Sequence, residues 1–466
     1  MATTASPPIV AAATDLLQLI GNTPLVPIKR LDTGPCELFV KLENQNPGGS
    51  IKDRIAVSMI EAAEAEGKLQ PGGTVVEATA GNTGLALALV GGAKGYRTVL
   101  VIPDKMSQEK IFHLKALGAE IVMTRSDVNK GHPEYYQDMA EAIAARTPNS
   151  VYINQFGNPA NPLAHERTTG PEILAQMNGR VDAVVCGVGS GGTLAGLTRF
   201  FRQAAPNARM VLADPVGSVL AQYIKDGTLG TAGSWLVEGI GEDFIPPIAD
   251  LSGVREAYSI SDAESFATAR ELLRREGILA GSSSGTLLAA ALRYCRSRSR
   301  AERVVTFICD SGNKYLSKMY NDFWMRDQGF IEYPRAGNLT DLITRRFSEG
   351  NVITVRPQDT LATAFGRCRL YDLSQLPVVE GERIIGIVDE EDLLQAVEKA
   401  PERFSEPVAA VMSTKLITLQ TTESIDRAVA VLDGGHVPIV MDVDKFFGLI
   451  TRYDVLNYLR RTVKRG

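Results

Sequence analysis

Residues 183–203 read AVVCGVGSGGTLAGLTRFFRQ: a short apolar run from Ala183 to Cys186, a glycine-rich turn from Gly187 to Thr193, and an amphipathic segment from Leu194 to Gln203. A β-branched run that passes through glycines into a helical pattern is the strand–turn–helix unit of an α/β fold. The turn satisfies G-x-G-x-x-G, and Asp214 stands about 20 residues on, where the ribose-binding carboxylate of a dinucleotide site belongs. The physics of the turn is more general: glycines let backbone N–H groups approach an anion, and the helix start adds the positive end of its dipole. Two features favour a phosphate monoester. The turn lies deep in the chain rather than in the first βα unit, and it carries Ser190 and Thr193, whose hydroxyls suit a compact terminal phosphate. With no ligand the same residues make only a tight connection, so the neighbouring motifs decide.

Working outward, the same alternation runs from about Leu16 to Tyr320. Apolar runs at Leu38–Lys41, Thr74–Glu77, Thr98–Ile102, Glu120–Met123, Met210–Ala213 and Val304–Cys309 are separated by helical patterns such as Lys52–Glu66, Gln108–Leu117 and Ala263–Glu276. Short strands without apolar/polar alternation predict a parallel sheet covered on both faces, hence an open α/β catalytic domain over residues 10–325. Residues 326–350 lose the rhythm and read as a linker with a charged helical stub at Asp341–Phe347. Beyond lies an internal repeat. VITVRPQDTLATA from Val352 matches LITLQTTESIDRA from Leu416, LPVV at Leu376 matches VPIV at Val437, and GIVDEEDLL at Gly386 matches GLITRYDVL at Gly448. Each copy, at 351–398 and 412–462, predicts strand, helix, strand, strand, helix, and two copies face to face would bury their sheets.

Composition sets the exclusions. The chain has 466 residues, 44% hydrophobic and 22% charged, with 49 basic against 54 acidic residues for a net charge of -5. That balance lacks the basic footprint of a nucleic-acid binder and gives no attraction to an anionic membrane. No apolar stretch reaches the roughly 20 residues of a membrane span, and the N-terminus lacks the basic region of a signal peptide. Cys36, Cys186, Cys295, Cys309 and Cys368 form no C-x-x-C pair, which fits a reducing cytoplasm. The histidines are scattered, so no metal site is expected.

Three further motifs keep company with the phosphate turn. NPGGSIKDR, Asn46 to Arg54, leads through Ser50 as N-cap to Lys52 in the first turn of a helix. The helix dipole opposes the charge of a lysine placed there and favours the neutral amine that Schiff-base chemistry needs. EATAGNTG, Glu77 to Gly84, offers N–H groups and the hydroxyls of Thr79 and Thr83 to a carboxylate; AGSSSGT, Ala280 to Thr286, is a serine-rich helix start. Each motif alone has a plain structural reading, as a solvated lysine or a capped turn. Together they specify a pyridoxal-phosphate site better than a hydride-transfer site.

The order SIKDR, GNTG, GVGSGGT, GSSSG resembles the β-family of pyridoxal-phosphate enzymes. PGGSIKDR, PLAHERTT at Pro162–Thr169, VEGIGEDFIP at Val237–Pro246 and the paired repeats resemble, within it, the cystathionine β-synthase group over nearly the whole chain. The resemblance implies a two-lobed, tryptophan synthase β-like catalytic domain of fold type II. It implies that Lys52 holds the cofactor as a Schiff base and moves the Cα proton, that Asn82 meets the 3′-oxygen and Ser283 the ring nitrogen, and that Gly189, Ser190, Gly191, Gly192 and Thr193 hold the phosphate. Thr79, Gly81, Thr83, Gln155 and Phe156 would line the substrate side. A neutral serine hydroxyl at the ring nitrogen moderates the electron sink and favours β-elimination. The implied reaction is replacement of the serine hydroxyl by homocysteine, giving cystathionine and water, with sulfide-producing side reactions of the same machinery.

Some positions depart from the group. Phe156 stands where such synthases commonly carry tyrosine, and Ala80 replaces a serine, both leaning towards an O-acetylserine sulfhydrylase; Glu238 and Asp243 lean the other way. No histidine precedes His113, so no haem is expected and Cys36 reads as a packing residue. The repeats resemble adenosyl-sensing modules. Thr451 and Asp454 match a Thr-x-x-Asp ribose-gripping pattern, whereas the first repeat has Asp389 and Asp392, a charge pair suited to no ligand or to one without phosphates, such as S-adenosylmethionine. Other readings are a repeat pair that only dimerises, a nucleotide sensor without catalysis, and a nicotinamide oxidoreductase. A homodimer or dimer of dimers is expected.

Overall fold

The computed structural model describes residues 12–463 apart from 80, 105, 107, 129, 130, 332–335 and 344. It divides into two compact units, one ending at Met319 and one beginning at Tyr320. The first unit opens with β1 (Leu25–Pro27), β2 (Glu37–Leu42), α1 (Lys52–Ala65), β3 (Thr74–Glu77), α2 (Asn82–Ala93), β4 (Arg97–Pro103), α3 (Gln108–Ala116), β5 (Glu120–Thr124), α4 (Tyr136–Arg146) and β6 (Ser150–Tyr152). It continues through α5 (Ala160–Ala164), α6 (Gly170–Gln176), β7 (Ala183–Cys186), α7 (Gly192–Ala204), β8 (Arg209–Pro215), α8 (Leu220–Asp226), β9 (Val254–Ile260), α9 (Asp262–Glu276), α10 (Ser282–Arg296) and β10 (Arg303–Ile308). The apolar runs read from the sequence are strands, shifted by a residue at some ends. Cys309 lies just beyond β10 rather than inside it.

The strands form two sheets, one in each lobe. The larger runs β1-β2-β10-β7-β8-β9, parallel except for the edge strand β1; the smaller runs β5-β4-β3-β6, all parallel. Every residue of β3 and of β7 is buried, which is why neither shows alternation. Sequence order breaks twice, where β10 inserts between β2 and β7 and where β6 pairs with β3 on the side away from β4. Ligands of open α/β sheets gather at the carboxyl ends of strands flanking such breaks. SIKDR, GNTG and GVGSGGT follow β2, β3 and β7, and GSSSG opens α10, the helix that precedes β10. Ile55, Met59 and Ile60 of α1 are buried with Val75, Leu87 and Val90, which anchors the helix that begins at Lys52.

The second unit contains α11 (Asp322–Asp327), α12 (Leu361–Tyr371), β11 (Gln375–Glu380), β12 (Arg383–Asp389), α13 (Glu390–Val397), β13 (Ile417–Gln420), α14 (Ile425–Asp433), β14 (Pro438–Asp442), β15 (Lys445–Leu449) and α15 (Arg452–Val463). The second repeat has the expected element order. In the first, the opening strand is reduced to a single bridge between Val355 and Val378, and Pro357 soon after cannot donate to a ladder. Val379, Ile384 and Ile387 of the first repeat share an apolar cluster with Ile439, Phe446 and Leu449 of the second, so the two sheets cover each other.

The segment read as a bare linker is partly core. Leu339, Leu342 and Ile343 are buried with Leu419, Ala428, Leu432, Val440 and Ile450 of the second repeat. The stub at Asp341–Phe347 is not a helix; short turns at Leu339–Asp341 and Phe347–Glu349 flank it. A repeat of this size has little apolar surface of its own, and this segment completes its core. Among the described residues no helix is long and apolar enough to cross a membrane, and no cluster of His, Cys, Asp and Glu could hold a metal ion.

Candidate active site

Lys52 is the first residue of α1. The Pro47-Gly48-Gly49 turn, with Gly49 at φ +72°, delivers Ser50 into a bridge with Asp310, and the Ile51 N–H donates to the Cys309 carbonyl at 2.8 Å. The Ser50 hydroxyl accepts from the Lys52 N–H at 3.3 Å, while Ile51, already helical, is the flanking residue of α1. Burial holds the Lys52 amine below its ordinary pKa, against the pull of Cys309, Asp310 and Glu242, although part of the side chain remains accessible. Two residues on, Arg54 donates to both oxygens of Glu43 and both of Glu172, and Lys41 donates to Glu172 and to the Thr23 carbonyl. Lys41 and Glu43 are 0% exposed, so this closed network fixes the first turn of α1 from below.

The turn Gly187–Thr193 ends in Gly191, at φ +90°, which precedes α7 without any side-chain cap. The helix therefore keeps its first N–H groups for a ligand. A Cβ on Gly189 would stand 2.6 Å from the Gly239 carbonyl oxygen, and one on Gly192 would stand 1.9 Å from Asn161 Oδ1. Ser190 is buried and its hydroxyl accepts from Asn161 Nδ2 at 3.0 Å; Thr193 Oγ1 lies 3.1 Å from His165 Nε2. His165 is fully buried beside Thr169 Oγ1 at 3.0 Å. Burial, then Arg54 and Lys52, hold it neutral by pushing its pKa well below the ordinary value. Asp214, the carboxylate required by a dinucleotide reading, is 0% exposed and accepts the Ala221 N–H at 2.8 Å, which removes it from any ribose.

Lys52, Asn82, Gly189, Thr193 and Ser283 line one cavity, together with Ile240. Asn82 opens α2, donates to Asp310 Oδ2 at 2.8 Å and accepts from Lys314 Nζ at 2.6 Å. Ser283 is in the first turn of α10, which begins without a side-chain cap after Gly281; a Cβ on Gly281 would stand 1.8 Å from Asp310 Oδ1. The donors and the glycine cradle fit a phosphorylated pyridine aldehyde: N–H groups for the phosphate, a low-pKa lysine for the carbonyl, an amide and a hydroxyl for the ring.

On the far side of Asn82, Thr79 Oγ1 accepts from the Gly81 N–H at 3.2 Å, and Gly81 precedes α2 without a side-chain cap. Thr83 Oγ1 donates to Gln155 Oε1 at 2.7 Å, and the Gln155 N–H donates to Glu77 Oε2 at 3.0 Å. Burial pushes Glu77 up to about 7 against its two backbone N–H donors. Phe156 meets Phe244 with ring centroids 5.9 Å apart. Ala80 lies outside the described residues.

Sequence reasoning missed four residues here. Asp310, 1% exposed, ties Asn82, Tyr315 and the Gly281 turn together; Lys314, Asn161 and His165 supply the other links. The first two follow a strand end in CDSGNKY, the position that marked the other motifs, and His165 and Asn161 lie in or beside PLAHERTT. Glu238, singled out above, bridges Lys110 at 2.5 Å and Lys318 at 2.6 Å in a cleft of about 930 Å³.

In the second unit, Asp389 and Asp392 cap α13 reciprocally: Asp389 accepts the Asp392 N–H at 2.8 Å and Asp392 accepts the Asp389 N–H at 3.1 Å. Burial and then Asp389 hold Asp392 above the usual carboxylate range, against its backbone donor. Thr451 donates its N–H and hydroxyl to Asp454 Oδ2 at 2.7 and 2.6 Å. Both pairs thus occupy equivalent helix starts, one with two carboxylates and one with a single carboxylate.

Residues 16–310 match the family model of pyridoxal-phosphate dependent enzymes, and residues 340–399 and 408–461 match CBS domains. A cystathionine beta-synthase of Dictyostelium discoideum is 35% identical over 97% of this chain and 93% of its own length. Cysteine synthase 1 of Emericella nidulans is 42% identical over 67% of this chain and 86% of its own. A crystal structure of a hydrogen sulfide-producing enzyme from Fusobacterium nucleatum superposes with a TM-score of 0.61 and 36% identity, covering 66% of this chain and all of that one.

Proposed function

The chain belongs to the pyridoxal-phosphate dependent enzymes, in the cystathionine β-synthase group, and we propose that it replaces the hydroxyl of serine by homocysteine to give cystathionine and water. The observation that carries this reading is one cavity lined by a buried lysine amine, a glycine phosphate cradle, Asn82 and Ser283, in a chain that also bears the paired repeats. Pyridoxal phosphate bound there supplies an aldehyde for amines and an electron sink that acidifies the substrate Cα–H.

The chain's own residues do the rest. Gly189 to Thr193 hold the phosphate with the N–H groups of the α7 start, and His165 fixes the Thr193 hydroxyl. Asn82 and Ser283 orient the ring, with Asp310 and Lys314 holding Asn82. Thr79, Gly81, Thr83 and Gln155 receive the amino-acid carboxylate. The lowered pKa of Lys52 lets it hold the cofactor, take the Cα proton and pass it to the departing hydroxyl. Sulfide or cysteine in place of one substrate gives sulfide chemistry by the same route. Cys36 is buried with its thiol on the Cys295 carbonyl, which supports a packing role and a haem-free enzyme. An adenosyl effector is expected at Thr451 and Asp454, and at the first repeat, if anywhere, one without phosphates. A cytoplasmic homodimer or dimer of dimers completes the reading.

Phe156 is what favours O-acetylserine sulfhydrylase as a second reading. Comparing kcat/KM for serine with homocysteine and for O-acetylserine with sulfide tests the two. Preference for the first pair by at least about tenfold is expected, with loss of the visible cofactor band and of turnover in Lys52→Ala; preference for the second pair overturns the assignment.

A further inference from the structure

Every residue of β3 is buried, and an apolar side chain at its last position would continue the run of Val75 and Val76; the chain has Glu77 there, 2% exposed. A carboxyl taken out of water is costly unless it is paired or hydrogen-bonded. Both oxygens of Glu77 go to backbone N–H groups: Oε1 accepts from Ala78 at 2.7 Å and Oε2 from Gln155 at 3.0 Å. These two amides belong to different elements. Ala78 leads from β3 into the turn Thr79–Thr83, and Gln155 lies in the loop that follows β6. The two strands pair in parallel as far as Val76 and Tyr152, and the Ile153 N–H donates to the Val76 carbonyl at 2.9 Å. Beyond that rung the Glu77 carboxyl makes the connection between the strand ends.

Gln155 is buried and held at three points. Its N–H is on Glu77, its carbonyl accepts from Asn161 Nδ2 at 2.8 Å, and its Oε1 accepts from the Thr83 hydroxyl at 2.7 Å, which leaves the Nε2 amide to donate. The same Asn161 Nδ2 donates to Ser190 Oγ at 3.0 Å, so the contacts that begin at Glu77 reach the phosphate turn. On the other side, Thr79 Oγ1 accepts from the Gly81 N–H within the turn that Ala78 enters. The residues joined through Glu77 are thus those assigned above to the amino-acid carboxylate, while Glu77 itself stands outside the lining of the cofactor cavity.

Building on that reading, we propose that Glu77 is a positioning residue for the amino-acid carboxylate: it locks the turn Thr79–Thr83 and Gln155 together so that their N–H, hydroxyl and amide donors converge on one carboxylate. No bond is made or broken at Glu77. Two properties make a carboxylate the fitting side chain. It accepts on both oxygens at once, where an amide accepts on one atom and presents donors on the other. A charged acceptor also binds an N–H about twice as strongly as a neutral one. Glu77→Gln therefore sets an NH2 group against the N–H of Ala78 or of Gln155 and releases one half of the pocket from the other.

The test compares the parent holoenzyme with Glu77→Gln, Gln155→Ala and the double variant, above the pH of about 7 to which burial pushes Glu77. Affinity is read from the change in cofactor absorbance on adding serine or ethanolamine, which is serine without its carboxylate, and turnover from serine with homocysteine. Glu77→Gln is expected to raise KM and apparent Kd for serine about tenfold, to hold kcat within about twofold and to leave ethanolamine binding unchanged. A merely structural defect weakens both amines alike. In the Gln155→Ala background the same substitution is expected to cost less than in the parent, because the amide it positions is gone. Equal losses for serine and ethanolamine, an unchanged serine affinity in Glu77→Gln, or full additivity in the double variant overturns the proposal. If Glu77→Gln does not retain cofactor, Glu77→Asp, which keeps the charge and withdraws it by one methylene, is read by the same criteria. Parent-like serine binding in Gln155→Ala refutes instead the placement of the substrate carboxylate, a failure distinct from that of Glu77.

Discussion

The helices that start at the catalytic site and those of the paired repeats begin differently. α1, α2, α7 and α10 have no side-chain cap, and three of the four follow a glycine. In the repeats α12 is capped by Thr360, α13 by the Asp389–Asp392 box, and the start of α15 by Thr451 with Asp454; α14 alone is uncapped there. The catalytic unit can cap a helix, as Ser261 does for α9 away from the site. Forgoing a cap costs about 1 kcal/mol; α4, α5 and α6 also begin without a side-chain cap, so it is the convergence of glycine-led starts on one cavity, rather than the missing cap, that marks N–H groups held for a ligand. A ligand at the repeats must instead replace hydrogen bonds the chain already makes with itself.

The same contrast holds for charges, and it can be broken most forcefully at Arg54. Arg54→Met leaves the buried Glu43 without its ionic partner and Glu172 with Lys41 alone, and an unpaired buried charge costs about 3–5 kcal/mol. Denaturant unfolding of the holoenzyme, with cofactor absorbance as a second probe, should show that loss together with weakened cofactor retention. Arg403→Met removes the exposed pair with Glu406 of the second unit and should leave the unfolding midpoint unchanged. Equal effects from the two variants would mean that the network below Lys52 is not what holds α1.

A smaller effect is expected at the second repeat. Thr451→Ala deletes the hydroxyl that donates to Asp454 Oδ2 and accepts the Asp454 N–H, at a cost of about 1 kcal/mol to the start of α15. Calorimetric titration of the full chain with ATP, AMP and S-adenosylmethionine should show weaker binding in this variant. An unchanged affinity would place the effector away from this helix start and sharpen the contrast with the catalytic unit, where the helix starts themselves are the site.

Strands and glycine turns were legible because each follows from a local rule. A strand buried on both faces is a continuous apolar run, and a turn that must admit an anion is rich in glycine, which is why β3, β7, Lys52 and the phosphate turn could be read directly. Asp310 could not be. Its role exists only because β10 inserts between β2 and β7, bringing Cys309–Ser311 against Ser50 and Gly281, and no local pattern encodes that neighbour. The pKa of Lys52 was foreseen in direction from its helix position, but its leading cause is burial, a property of the assembled lobes. The opening strand of the first repeat is shorter than the duplication suggests, and Pro357, the counterpart of Thr421, lacks the N–H that Thr421 donates to the Met441 carbonyl. Leu339–Ile343 were under-read because their partners lie some 75 to 110 residues away in sequence, a separation that periodicity does not see.

Helix glycines carry the comparison to its smallest term. In α7 a Cβ on Gly196 would stand 2.2 Å from the Pro162 carbonyl oxygen, and in α10 one on Gly285 would stand 2.1 Å from the Ser265 carbonyl oxygen, so both are needed for close packing under the site. Gly366, in the middle of α12, has nothing within 4 Å of that position and is exposed. There the glycine only adds freedom to the unfolded chain, and Gly366→Ala should stabilise α12 by about 0.5–1 kcal/mol. Amide hydrogen exchange on the full chain reads this locally, because α12 should open less often by a factor of about 2 to 5 while the amides of α7 and α10 are unaffected. Slower exchange in α7 as well would mean that the two units stabilise each other. Faster exchange in α12 would mean that Gly366 faces a partner, such as a second copy of the chain, that an alanine methyl displaces.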